Sequence, residues 1–326
     1  MRNALKRRFL LAAPVLGLST TGTRAQRPGR MWRIGYLSGN SPPDPNMASF
    51  TLGMQRVGRT EGRDYEIFVR FADFQYERFP ALIDELLADR VDIIITPGAS
   101  TRAAPLAAKS VPVVFGFSGD PVAAGIVQSL SHPGGNATGV SAMALELAGR
   151  RLSMLTEAVP TIRRVGVLSN PTHPGEQSEW AVTQAAAKTL NVNLNYYRIA
   201  TTSDVSEAIE RAQSERCDGL LTFPEALSLF NRGTIAQFAA RGRLPTAFGW
   251  KIYCQAGGLL SYGPNLGEFY ARMGFYAGRI LQGAKPADLP VELPTIFETV
   301  VNNATAKAIG LTLPSTILGR ADEVIE

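Results

Sequence analysis

The chain has 326 residues, 45% of them hydrophobic and 19% charged, a composition that excludes collagen, a disordered chain and a multi-span membrane protein. It is longer than one core usually grows, so more than one lobe is expected. The formal charge of +5 invites an anionic partner, but Arg2, Lys6, Arg7, Arg8 and Arg24 carry all of that excess. Without residues 1–25 the chain has 28 acidic and as many basic residues, and nucleic acid and an anionic membrane lose their electrostatic footing.

Residues 1–25 read as an export signal. A basic start ends in Lys6-Arg7-Arg8, an apolar run follows from Phe9 to Leu18, and Thr23-Arg24-Ala25 resembles a small-x-small cleavage site before Gln26. Arg7-Arg8-Phe9-Leu10 is similar to a twin-arginine signal with imperfect spacing, so either export route stays open. The apolar run is too short to span a bilayer, and no Cys near the cleavage point could take a lipid, so the expected product is free in a periplasm.

Beyond the signal, three segments recur in order at offsets of roughly 130 residues. Arg33-Ile34-Gly35-Tyr36-Leu37-Ser38 matches Arg164-Val165-Gly166-Val167-Leu168-Ser169. Arg90-Val91-Asp92-Ile93-Ile94-Ile95 matches Arg216-Cys217-Asp218-Gly219-Leu220-Leu221. Val111-Pro112-Val113-Val114-Phe115-Gly116 matches Leu244-Pro245-Thr246-Ala247-Phe248-Gly249. Continuous apolar runs such as Ile93–Ile95 predict strands covered on both faces. Phe79, Leu82, Ile83, Leu86 and Leu87 fall on one helical face, and Leu152, Leu155, Ala158 and Val159 do so less cleanly. This βαβα order predicts an α/β fold with two Rossmann-like parallel sheets, hence two lobes.

An open parallel sheet binds ligands beyond the carboxyl ends of its strands. In the first half those ends carry Ser38, Asn40, Ser100, Thr101, Phe117 and Asp120. In the second they carry Asn170, Glu225 and Trp250, with Tyr262 as a further aromatic wall. Ser100 and Thr101 open a predicted helix, where hydroxyls and free N–H groups suit a carboxylate, though plain helix capping explains them equally well. Glu225 suits an ammonium or an exposed surface position, and Asp120 suits an ammonium or a cap.

Catalytic equipment is scarce. His132 and His173 each precede a proline and are expected in solvated loops. There is no HExxH, no zinc spacing, no GxGxxG and no Walker A sequence. In Gly116-Phe117-Ser118-Gly119-Asp120 the second glycine falls one place early for a nucleophile elbow. No cofactor, metal or enzymatic activity is therefore expected. Cys217 and Cys254 could form a disulfide in an oxidising compartment or remain two buried thiols.

Several stretches resemble ABC-transporter substrate-binding proteins of the group that includes tryptophan- and phenylalanine-binding members. They are Gly119-Asp120-Pro121-Val122, Ser131 to Val140 (SHPGGNATGV), Ser261-Tyr262-Gly263-Pro264, Tyr276 to Val291, and Arg320 to Glu326. The resemblance covers about residues 31–326. It implies a type I periplasmic binding protein, two lobes joined by a three-strand hinge. Lobe 1 would hold 31–144 and 263–290, and lobe 2 would hold 145–262 and 291–326. The Gly-rich stretch 133–139 would lead into the first hinge strand, and Tyr262-Gly263 would sit at the second. It also implies capture of a small solute and its presentation to an inner-membrane ABC permease, without fixing the substrate; the ligand expected here is an amino acid or related small carboxylate, aromatic ones first, and the protein is expected to be a monomer. A periplasmic sensor subunit and an exported enzyme remain alternatives.

Overall fold

The computed structural model describes residues 30–142 and 144–326; the predicted signal and its cleavage site lie outside the described residues. The first sheet is built from β1 (Trp32–Ser38), α1 (Met47–Arg56), β2 (Tyr65–Phe71), α2 (Phe79–Ala88), β3 (Ile93–Pro97), α3 (Ala103–Ala107), β4 (Val113–Phe117) and β5 (Ala137–Ser141). The chain continues through α4 (Ala144–Ala158), β6 (Arg164–Ser169), α5 (Glu176–Leu190), β7 (Asn193–Arg198), α6 (Thr202–Ser214), β8 (Gly219–Thr222), α7 (Ala226–Phe230), α8 (Arg232–Arg241), β9 (Thr246–Phe248) and α9 (Lys251–Gln255). It closes with β10 (Leu260–Pro264), α10 (Leu266–Leu281), β11 (Phe297–Asn302), α11 (Asn303–Ala308), α12 (Ser315–Leu318) and β12 (Glu323–Ile325).

Strand order is β2-β1-β3-β4-β5 in one sheet and β12-β11-β10-β9-β8-β6-β7 in the other. Every pairing is parallel except β10 with β11. The two-lobed α/β fold read from the repeat is the fold observed. The repeat holds in detail: β1 lies between β2 and β3, and β6 lies between β7 and β8. Asp92 accepts the Arg33 N–H at 2.9 Å, and Asp218 accepts the Arg164 N–H at 2.9 Å. The arginine that opens each second segment is left-handed, Arg90 at φ 54° and Arg216 at φ 57°.

The all-apolar strands are sandwiched as their composition demands. In the first lobe Ile94, Val113 and Phe115 face Leu82 and Leu86 of α2, whereas Ile93, Ile95 and Val114 face Phe50 and Met54 of α1 and Met273 and Ala277 of α10. In the second, Val165, Val167 and Leu221 meet Leu152 and Leu155 of α4, and Leu220 meets Val205 and Ile209 of α6. Helices α1 and α10 touch backbone to backbone, because a Cβ on Gly53 would overlap the Ala271 carbonyl and one on Gly274 the Phe50 carbonyl.

The chain passes between the sheets three times. It leaves β5 for α4, which packs on the second sheet, and leaves β10 for α10, which packs on the first. It returns from Glu292, bridged to Val140, into β11. Tyr262 and Gly263 lie inside β10, paired with Thr299 and Glu298. The crossing follows at Asn265, whose side chain caps α10 by accepting the Glu268 N–H. Cys217 and Cys254 are separate buried thiols.

Candidate functional site

The carboxyl ends of both sheets meet at a cavity between the lobes. Ser38, Asn40, Gly98 and Ser118 line it from the first lobe, together with Phe269 and Tyr270 near the start of α10. His173, Glu225, Leu229 and Trp250 line it from the second. Its volume is ≈ 50 Å³. A larger groove of ≈ 570 Å³ opens on the outer side of the crossovers, around Glu268, Arg272, Glu292 and Ile296. Ser141 and Pro264, the carboxyl ends of β5 and β10, reach it, but none of the ten residues expected from the sequence does.

The lobes are in contact across the cavity. Ser118 and His173 share a hydrogen bond at 3.0 Å, and the Phe117 ring stacks on His173 at 6.0 Å. The Tyr76 hydroxyl donates to Glu225 Oε2 at 3.4 Å, and Phe74 meets Phe230 at 5.1 Å between ring centroids. Asp73 and Phe74 are both left-handed, at φ 53° and 61°, a sparsely populated conformation for residues with a Cβ. Their N–H groups hold them there by donating to the Asn40 and Gly39 carbonyls, which ties this contact to the cavity wall.

Four of the ten residues expected from the sequence reach the cavity. The Ser38 hydroxyl donates to Asp44 at 2.7 Å and Asn40 Nδ2 donates to the same carboxylate oxygen at 3.1 Å, so a buried Asp44 sets both donors. Glu225 is buried and N-caps α7, accepting the Leu227 and Ser228 N–H groups. Burial pushes its carboxyl upward against those N–H bonds. Trp250 forms an apolar wall beside Tyr253.

The other six do not line it. Ser100 and Thr101 are fully buried with their hydroxyls turned inward, Ser100 to the Leu37 and Pro97 carbonyls and Thr101 to Thr96 at 2.9 Å. A hydroxyl has one proton, and theirs serve the main chain, so neither hydroxyl is free to donate to a carboxylate. Phe117 is core, touching the cleft only through His173. Asp120 is exposed and caps the turn at Val122 and Ala123, beside a separate shallow depression. Asn170 sits behind Glu225, donating to it at 3.4 Å. Tyr262 stacks on Phe297 at 6.0 Å, away from the cavity.

His173 reverses its expectation. It is buried, not solvated, and burial lowers its pKa to about 4. The loop after β6 was recognisable as a strand-end loop through Asn170-Pro171-Thr172, and the ring lies one residue further on. Phe269 and Tyr270 gave no such signal, because they belong to a helix whose sheet partner is remote in sequence. Behind the second-lobe wall, Arg151 and Glu179 are two buried ionisable groups that feel each other's charge without sharing a hydrogen bond. Burial brings Arg151 down to about 10 and Glu179 up to about 8, outweighing their mutual attraction in both. Among the described residues no His, Cys, Asp and Glu cluster could hold a metal ion, and no helix is long and apolar enough to cross a membrane.

The sequence profile of the family described as ABC transporter substrate binding protein matches residues 46–325. The chain belongs to that family. This substrate-binding protein is 24% identical over 276 residues to the tyrosine-binding protein of Clostridioides difficile, covering 82% of this chain and 77% of that one. Its fold is similar to that of an ABC domain from Streptococcus pneumoniae solved with L-Trp, with TM-score 0.81, 21% identity, and coverage of 90% of this chain and 100% of the other. It is also similar to a ligand-free, open substrate-binding protein of Clostridium difficile, with TM-score 0.62, 23% identity, and coverage of 90% and 99%. The two-lobed α/β architecture is thus common to the binding protein and these solved structures, and, as a member of its family, its work is to bind a substrate for an ABC transporter.

Proposed function

We propose that the binding protein captures an amino acid, aromatic ones first, between its lobes, closes over it without transforming it, and presents the closed form to a permease. The observation that carries this is the charge inventory of the cavity. Among the described residues lining it, Glu225 is the one formally charged group, facing aromatic walls from Trp250, Phe269 and Tyr270. A buried carboxylate seeks a cationic partner, and an ammonium among aromatic rings supplies one. The tyrosine and L-Trp named for two relatives support the class. The three crossovers, after β5, after β10 and before β11, serve as the hinge, since motion confined there moves each sheet as a body. Closing then depends on how much better the closed state holds the solute.

Calorimetry with L-tyrosine and L-tryptophan tests the reading. Glu225→Gln keeps one oxygen to accept a cap N–H but loses the charge, and binding should weaken by about 1.5–3 kcal/mol. Unchanged affinity would remove Glu225 from recognition. Absence of binding across the amino acids would refute the class. The protein is exported and cleaved after Ala25, and N-terminal sequencing of the periplasmic fraction should begin at Gln26. Recovery of an intact Met1 there would contradict it.

A further inference from the structure

We propose that His173 is a positioning residue for solute capture. Bridging the closed lobes as a neutral donor, it turns the Ser118 hydroxyl into a directed donor for a carboxylate or carbonyl oxygen of the solute, and it makes capture sensitive to acid. This rests on the cleft being the solute site.

The tautomer follows from the geometry. The Gly175 N–H donates to His173 Nδ1 at 3.2 Å, so Nδ1 carries a lone pair and Nε2 carries the proton. Nε2–H therefore donates to Ser118 Oγ, 3.0 Å away on the opposite lobe. Ser118 Oγ accepts that bond, and its own proton has no protein acceptor among the hydrogen bonds of the described residues. Ser118 lines the cavity, so that proton is available to a solute oxygen there. The Gly119 and Gly175 backbones pack closely beside the pair, which brings the two loops within reach on closure.

Protonation undoes the arrangement. A second proton on Nδ1 would face the Gly175 N–H, donor against donor, in a largely buried position. Glu176 and Glu179 of α5, Glu225 at the start of α7, Tyr270 of α10 and, on the outer side of the ring, Arg102 just before α3 are the titratable and charged groups around this wall. Glu176 accepts the Ser169 hydroxyl, Glu225 is occupied as a cap, and Glu179, raised to about 8, is itself protonated in acid. None is hydrogen-bonded to the imidazole. With the lobes apart the ring regains water and its ordinary value of 6.5, against about 4 when closed. Closure keeps its full stability above 6.5 and loses it progressively as pH falls towards 4.

The test is calorimetry of L-tyrosine binding at about pH 8 and about pH 5, for wild type, His173→Gln and Ser118→Ala. The wild type should lose about tenfold or more in affinity at the lower pH. Gln can donate to Ser118 without titrating, so His173→Gln should lose the pH dependence, its affinity differing little between the two pH values. Ser118→Ala should weaken L-tyrosine by about tenfold yet leave tyramine, which lacks the carboxylate, nearly unchanged. An acid loss that persists in His173→Gln, or equal losses for tyrosine and tyramine in Ser118→Ala, would overturn the proposal. If no amino acid binds wild type, the amino-acid reading fails by itself. The distance between spin labels on the two lobes then decides about His173. Acid should open wild type but not His173→Gln, and the same response in both would overturn it.

Discussion

Above about pH 8, Glu179→Leu should destabilise the protein more than Arg151→Met does, although each removes one member of the same buried pair. Arg151 is 1% exposed and Glu179 0%. Arg151 Nε donates to the Tyr262 carbonyl at 2.8 Å, while Nη1 and both Glu179 oxygens have no hydrogen-bond partner among the described residues. Above about pH 8, where the carboxyl is ionised, removing the glutamate leaves a guanidinium that, even lowered to about 10, is still largely charged, and an uncompensated buried charge costs about 3–5 kcal/mol. Removing the arginine takes away the charge that holds the Glu179 carboxyl down, so the carboxyl escapes the cost by keeping its proton. That loss should be nearer 1–3 kcal/mol, mostly the orphaned Tyr262 carbonyl and lost packing, on the order expected for one unsatisfied group. Arg151→Met with Glu179→Leu should recover most of the difference.

Urea unfolding of the three variants measures this, and equal single-variant losses would contradict it. The pH dependence is a second readout. A carboxyl raised from 4.5 to about 8 on folding contributes stability that is complete below 4.5 and lost as pH rises through about 8. Glu179→Gln should flatten that decline. Because Arg151 holds the carbonyl of Tyr262 in β10, just before the second crossover, these variants should also change how readily the lobes part.

Gly274→Ala is expected to cost about 3 kcal/mol, against a helix propensity that alone favours alanine by about 1 kcal/mol. The added methyl would overlap the Phe50 carbonyl, a backbone atom that moves only if α1 moves. Gly53→Ala acts on the same seam through the Ala271 carbonyl, so the double variant should lose less than the sum. Gly233, inside α8 with no atom near its would-be Cβ, is the control, and Gly233→Ala should be neutral or stabilising by up to about 1 kcal/mol. Since α10 carries Phe269 and Tyr270 into the cavity wall, Gly274→Ala should weaken solute binding as well as stability. A Gly274→Ala protein as stable as wild type would show that the seam yields without cost.

The architecture was legible in the residues themselves. Each repeated segment carries a buried apolar strand, and in both halves the aspartate of the second segment, Asp92 or Asp218, accepts an N–H from the first, at Arg33 or Arg164. The apolar runs are local information, and they recur in both halves with similar spacing. Strand-end position also selected Ser38, Asn40, Glu225 and Trp250, because an open sheet exposes those loops whatever the packing around them. It failed for Ser100 and Thr101. Which way a hydroxyl turns depends on the Leu37 and Thr96 carbonyls that the fold brings beside it, and those carbonyls left no proton for a ligand. His173 shows the same limit from the other side. A histidine before a proline reads as a solvated loop residue, and only the Gly175 N–H behind it and Ser118 on the other lobe make it a buried neutral donor. The sequence by itself determined two parallel sheets, their strand ends and the family. The tertiary structure alone decided which polar groups at those ends are spent on the protein's own backbone and which face the cleft, because that choice is made by partners distant in the chain.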